Sequence, residues 1–200
     1  MAEVSVGLYL EDLAQEKLVT TLVRRISENV GTEVRVDVMC STGGIPRMRR
    51  ELRRYLKRCV DFGITPFEIL VVVEDTDCRG ESVVRRELND IVERTGYIGK
   101  TIIASPAPHV ECWYLADPVA LQRITQSPQL SAIPSGDCEK DLYKRQLAEQ
   151  FSGSLMDGIE YAEDIASEMD VFQAGRNVSS LGAFLQELRS ALTMLGDASQ

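Results

Sequence analysis

The chain has 200 residues, 44% of them hydrophobic, with 31 acidic against 22 basic side chains and a net charge of −9. That suffices for one globular domain with a real core, and a net-negative chain does not as a whole attract nucleic acid. Five scattered cysteines without a C-x-x-C pair argue against a disulfide framework or zinc module and for a reducing cytosol; the opening MAEVSVGLYLED shows neither a basic leader nor an apolar span.

In chain order, residues 4–10 read as an apolar strand that ends in Glu11 and Asp12. Residues 13–29 carry Leu18, Leu22, Val23 and Ile26 at helical spacing, and Gly31 is a natural C-terminal stop. Residues 33–39 alternate as a strand with one polar side, the pattern of a strand near an edge. STGGIP, 41–46, is a turn by composition, and residues 47–59 form a helix dense in arginine. The apolar run from Ile69 to Val73 is the most buried strand expected. A helix over 82–94 and a strand over 100–105 follow, then prolines at 106 and 108 and the apolar segment HVECWYLADPVAL. Strand–helix alternation of this kind predicts an α/β fold with a mostly parallel four-stranded sheet flanked by helices. The expected organisation is an α/β core over 1–122, a Ser/Pro/Gly-rich loop or linker over 123–141, and an acidic helical region over 142–200. Phe184, Leu185, Leu188, Leu192 and Leu195 give that last region an apolar face to pack on the core.

The chemistry gathers where the buried strand stops, at Glu74, Asp75 and Asp77. In extended chain, residues i and i+2 point to one side, so Asp75 and Asp77 could face one hard cation; the plainer reading is a strand ending in a polar turn. Glu11 and the Asp75/Asp77 pair follow strands, and parallel strands would bring them to the same sheet edge, where open α/β sheets place their sites. Glu111 is a third acidic position. Glu74 reads either as support for the others or as a partner for Lys or Arg. His109, the only histidine, reads as a loop residue or as a general acid–base beside Glu111. Trp113 and Tyr114 read as core rather than as stacking platforms for bases. Arg47, Arg50, Arg54 and Arg58 recur at three- and four-residue steps and form one helical stripe, either a solvated face or a track for a phosphate backbone.

The pieces LYLEDLAQEKLV and VVVEDTDC, a strand ending in Glu and a later strand ending in Asp-x-Asp, resemble the Toprim domain of topoisomerases, primases, recombination proteins and nucleases of the overcoming-lysogenization-defect family. With GGIPRM at 43–48 and ECWYLAD at 111–117, the chain is most similar to a group of small bacterial proteins classed as a domain of unknown function, over roughly residues 4–120. The resemblance implies a Toprim-like core and a Mg²⁺- or Mn²⁺-dependent nuclease. Its metal ligands would be Glu11, Asp75 and Asp77, with Glu16 or Glu111 serving a second metal, and Glu111 would join the catalytic set. The usual Glu-Gly is Glu-Asp here and the second acid is displaced by one position, so Asp12 competes with Glu11 and Glu16. No topoisomerase tyrosine motif or primase zinc module is apparent. The resemblance further implies nucleic acid as substrate and a role in bacterial defence against phage or plasmids beside an ATPase. That ATPase would be a separate chain, because no P-loop occurs here. Homo-oligomerisation is left open. The rival expectation is a non-catalytic binding or regulatory subunit with a degenerate site.

Overall fold

The sheet is built on strand β1 (Val4–Leu10), which pairs in parallel with β2 (Val34–Cys40) on one side and β3 (Ile69–Val73) on the other. β4 (Lys100–Ala104) pairs in parallel with β3, so the order is β2-β1-β3-β4. The computed structural model describes residues 3–41, 43–127, 131–135, 137–139, 141–151 and 155–198. The expected parallel α/β sheet is therefore present, and β2 lies at an edge with a half-exposed surface, as its alternating polarity requires.

Period-two alternation divides the strands between two cores. Val6, Leu8, Leu10, Ile69, Val71, Val73 and Ile102 point to one face. Tyr9, Leu70, Val72 and Ile103 point to the other. Helix α1 (Leu13–Val30) covers the first face with Leu18, Val19, Leu22, Val23 and Ile26. Helices α2 (Ile45–Asp61) and α3 (Glu81–Thr95) cover the second, α2 through Met48, Leu52, Leu56 and Cys59. Right-handed crossovers demand this arrangement, because the chain leaves β1 in one direction towards β2 and returns past it in the other to reach β3 and β4. The change of direction makes the C-terminal ends of β1 and β3 the topological switch point, the place such sheets offer for ligands.

Local chemistry sets the joints. Gly31 ends α1 at φ 71°, a left-handed cap, and its N–H bonds back to the Glu28 and Ser27 carbonyls. Gly7 lies under Phe67; a Cβ there would meet that ring at 2.2 Å, so the middle of β1 has no room for a side chain.

The segment 111–121 folds as two short helices, α4 (Glu111–Tyr114) and α5 (Pro118–Thr125). Asp117 caps α5 by accepting from the Val119 and Ala120 amides, and Pro118 starts it, so α5 runs three residues into the expected linker. From there to α6 (Leu142–Gln150), the described residues carry neither helix nor strand; residues 128–130, 136 and 140 of the expected loop lie outside the described set, as does Thr42 of the expected turn. A 3-10 turn (Ile159–Tyr161), α7 (Ala162–Glu168), α8 (Val171–Asn177) and α9 (Ser179–Ala198) complete the chain. They share the first core: Trp113 stacks on Phe184 at 5.4 Å and donates through Nε1 to Ser180 Oγ at 2.9 Å. Each such fully buried side chain contributes about 1.5–3 kcal/mol of transfer free energy. Trp113 and Tyr114 are core, as expected. Among the described residues no helix is long and apolar enough to cross a membrane.

Candidate functional site

Glu11 leaves the end of β1 half-buried and reaches across to β3, where its Oε2 accepts from the Asp75 amide at 3.2 Å. The three acids near the start of α1 have separate tasks. Asp12 caps α1 by accepting from the Gln15 amide at 3.2 Å. Glu16 lies within reach of the end of β2: burial, then the charge of Asp12, then that of Glu16, raises the Cys40 thiol. Glu11 is thus the member bonded to the Asp75 amide, the charge of Asp12 adds to the burial that raises Asp75, and among the described residues no hydrogen bond links the expected ligand Glu16 to Asp75.

Asp75 is almost fully buried, and every contact of its carboxylate fixes its rotamer. Oδ1 accepts from Gln15 Nε2 at 3.0 Å. Oδ2 accepts from the Val110 amide at 3.3 Å and stands 3.6 Å from His109 Nδ1. The same His109 nitrogen is 3.3 Å from Asp77 Oδ1. Asp75 and Asp77 therefore converge, but not through strand pleat. The strand stops at Val73, and Asp77 and Cys78 have left-handed backbones at φ 44° and 65°. Hydrogen bonds to the loop after β4 hold this shape: Thr76 N–H to Pro106 O at 2.9 Å, Asp77 N–H to Pro108 O at 3.1 Å, and Thr76 Oγ1 to Pro108 O at 3.3 Å. Two left-handed residues in sequence are costly, of order 1–3 kcal/mol each, and persist because the neighbouring loop holds them.

Glu111, first residue of α4, is buried beside this group, and its Oε2 has no hydrogen-bond partner. The electrostatics match the crowding. Burial, then the charge of Asp75, raises Glu11 to about 7. Burial raises Asp75, opposed by its hydrogen bond with His109. Burial also raises Glu111, with Asp75 adding to it. The Asp75 hydrogen bond raises His109, which favours the imidazolium. These carboxylates repel one another, and among the described residues no Lys or Arg forms an ion pair with Glu11, Asp75, Asp77 or Glu111.

Glu74 is the opposite case. It is fully buried, facing the second core, and two arginines hold it: Arg49 (2.5 and 2.7 Å) and Arg79 (2.7 Å). Glu87 pairs with both at 2.7 and 3.2 Å. Of its two readings, partner for arginine is the one found.

On α2, Arg47 pairs with Glu51 at 2.7 Å and Arg49 is turned inward. Arg50, Arg53, Arg54, Lys57 and Arg58 are exposed, without an ion pair among the described residues. The stripe expected from Arg47, Arg50, Arg54 and Arg58 is present as an exposed face, with Arg47 partly neutralised. Cys112 is buried, and burial pushes its thiol up to about 12, which leaves it inert.

One participant, Gln15, escaped single-residue reading. Gln15 orients Asp75 and accepts from the Glu11 amide at 3.0 Å; its signal was the spacing Asp12-x-x-Gln15, a relative of the capping box. His109 is both a loop residue and a member of the site.

Among the described residues no three His, Cys, Asp or Glu side chains form a ready-made metal cage. The donor chemistry nevertheless suits Mg²⁺ or Mn²⁺, which keep several waters and take one or two carboxylates rather than a full protein shell. The oxygens of Glu11 and Asp75, the exposed Asp77 and the unpartnered Glu111 oxygen are the donors on hand. Comparisons with protein-family models, curated proteins and solved structures find no match to the chain.

Proposed function

We propose that this protein is a divalent-metal-dependent phosphodiesterase acting on DNA or RNA, with its site at the switch point between β1 and β3. The observation that carries the reading is the meeting of Glu11 and Asp75, 64 positions apart, in a largely buried carboxylate group that forms no ion pair with arginine or lysine among the described residues. Glu11 and Asp75 would hold Mg²⁺ or Mn²⁺, with Asp77 and Glu111 beside them. Such a metal activates bound water and neutralises charge on a phosphate.

The chain's own groups supply the rest. Gln15 holds Asp75 in one rotamer, so its free lone pairs keep a fixed direction. His109 holds a proton at Nδ1 between Asp75 and Asp77 and is the nearest acid for a departing oxygen. The cations of α2 bind the phosphate backbone, and α2 reaches the site's edge through Arg49, which contacts the residue before Asp75. The Toprim resemblance agrees with these assignments for Glu11, Asp75, Asp77 and Glu111, and extends the reading to a defence role beside a separate ATPase in the bacterial cytoplasm.

His109 also supports the rival reading of a non-catalytic subunit, because it already supplies a cation to both aspartates. Cleavage of labelled DNA and RNA in Mg²⁺ or Mn²⁺, compared with Asp75→Asn, separates the two. The nuclease reading expects cleavage that falls at least about 100-fold in the variant, the scale on which even indirect support of a metal acts. Metal-dependent cleavage that survives in Asp75→Asn would remove the site from the reaction.

A further inference from the structure

Cys78 and Cys138 are exposed free thiols, whereas Cys59 and Cys112 are buried and Cys40 is half-buried at the end of β2. Cys78 follows Asp77 in the strained loop between β3 and α3. Cys138 belongs to the stretch between α5 and α6. Although 60 positions apart, they meet: Cys78 Sγ lies 3.6 Å from the Cys138 carbonyl oxygen, and the neighbouring Cys138 thiol, then burial, raises the Cys78 thiol to about 11, which leaves Cys138 as the first attacker in the native chain. Both line a cavity of about 270 Å³ whose wall includes Thr76, Ser135, Asn177 and Ser180.

The geometry points to Cys78 and Cys138 as a redox modification site that forms a reversible disulfide by exchange with a low-molecular-weight disulfide. Two thiols already in contact react as an intramolecular pair, so a sulfur captured by a small disulfide is attacked by its neighbour ahead of a second small thiol. The exchange balances. One protein thiolate attacks the small disulfide, its S–S bond breaks, and one small thiol leaves with a proton. The second protein thiolate attacks the protein sulfur of that mixed disulfide, forming the Cys78–Cys138 bond and releasing the second small thiol. The protein gives up two protons and two electrons, and the small disulfide accepts both. The bond ties the stretch that carries Cys138 to the residue next to Asp77, and so restrains the loop at the site's rim.

The test is incubation of the whole chain with oxidised glutathione, followed by thiol counting and peptide mapping without reduction. The expected result is a loss of two from the five free thiols, and a joined Cys78–Cys138 peptide lighter by two hydrogens that dithiothreitol separates. Cys138→Ser should instead leave a lasting glutathione adduct on Cys78. Because Cys78 has a left-handed backbone and its replacement disturbs the loop, Cys138→Ser is the primary variant and Cys40→Ser, which should retain the joined peptide, is the control. Stable adducts on both cysteines of the native chain, a joined peptide that contains Cys40, or linkage only between two chains would each overturn the proposal.

Discussion

Glu74 and Asp75 are neighbours in sequence, both buried at the end of the same strand, and the fold treats them in opposite ways. Glu74 faces the α2/α3 side and is matched by Arg49 and Arg79, with Glu87 completing an alternating network. Asp75 has Glu11, Asp77 and Glu111 around it, with His109 beside it and the more distant charge of Lys144 acting on Glu111, and no arginine or lysine in an ion pair with it among the described residues. A buried charge that serves the fold is neutralised by its own chain, because an unpaired one costs several kcal/mol. A cluster left short of positive charge holds that cost in reserve for a ligand that brings the charge with it. The comparison teaches that burial of an acid is not the functional signal; the missing partner is.

The largest effect should come from breaking the matched side. Arg49→Met leaves Glu74 with one arginine, and we expect a loss of about 3 kcal/mol in urea denaturation. The unmatched side should respond with the opposite sign. Glu11→Gln keeps an acceptor for the Asp75 amide and removes one repelling charge, so without divalent metal it should stabilise the fold by about 1 kcal/mol near pH 8, after discounting for partial exposure. The same substitution should abolish metal-dependent cleavage.

pH sharpens the same contrast. Glu11 is raised from 4.5 to about 7 in the folded chain, so the folded state holds its proton more tightly than the unfolded state. Its contribution to stability is present at low pH and is lost as pH rises through about 7. Asp75, Glu111 and His109 are raised as well and act in the same direction. The Tm should therefore fall between about pH 5 and pH 8, and Glu11→Gln should flatten the fall. Mg²⁺ or Mn²⁺ at the upper end should restore the lost stability, since a ligand bound only by the folded state adds to it. The smallest effect on the fold should come from α2: Arg54→Ala should change stability by less than about 0.5 kcal/mol. It should also lower the salt dependence of nucleic-acid binding by about one unit of slope.

Much of this was legible in the sequence. The apolar runs at 4–10 and 69–73 fixed the central strands, because strands buried on both faces have few other places to go. Glu11, Asp75 and Asp77 were placed at one edge by topology alone. The sequence does not say which of the acids at 11, 12 and 16 bonds to the Asp75 amide, because that depends on Asp12 rather than Glu11 capping α1. It also does not announce that His109 returns to the Asp75 loop, which depends on hydrogen bonds between two loops more than thirty residues apart. The different fates of Glu74 and Asp75 follow from strand alternation, yet only the placement of Arg49 and Arg79 gives the difference its meaning.

The central claim is that the Glu11–Asp75 group is built to receive a cation from outside the chain. Calorimetric titration of Mn²⁺ into the native protein and into Glu11→Gln and Asp75→Asn tests it most directly. The account predicts saturable binding to the native chain that is lost in both variants while their folds remain intact. A flat titration of the native protein, or binding that both variants retain, would contradict it.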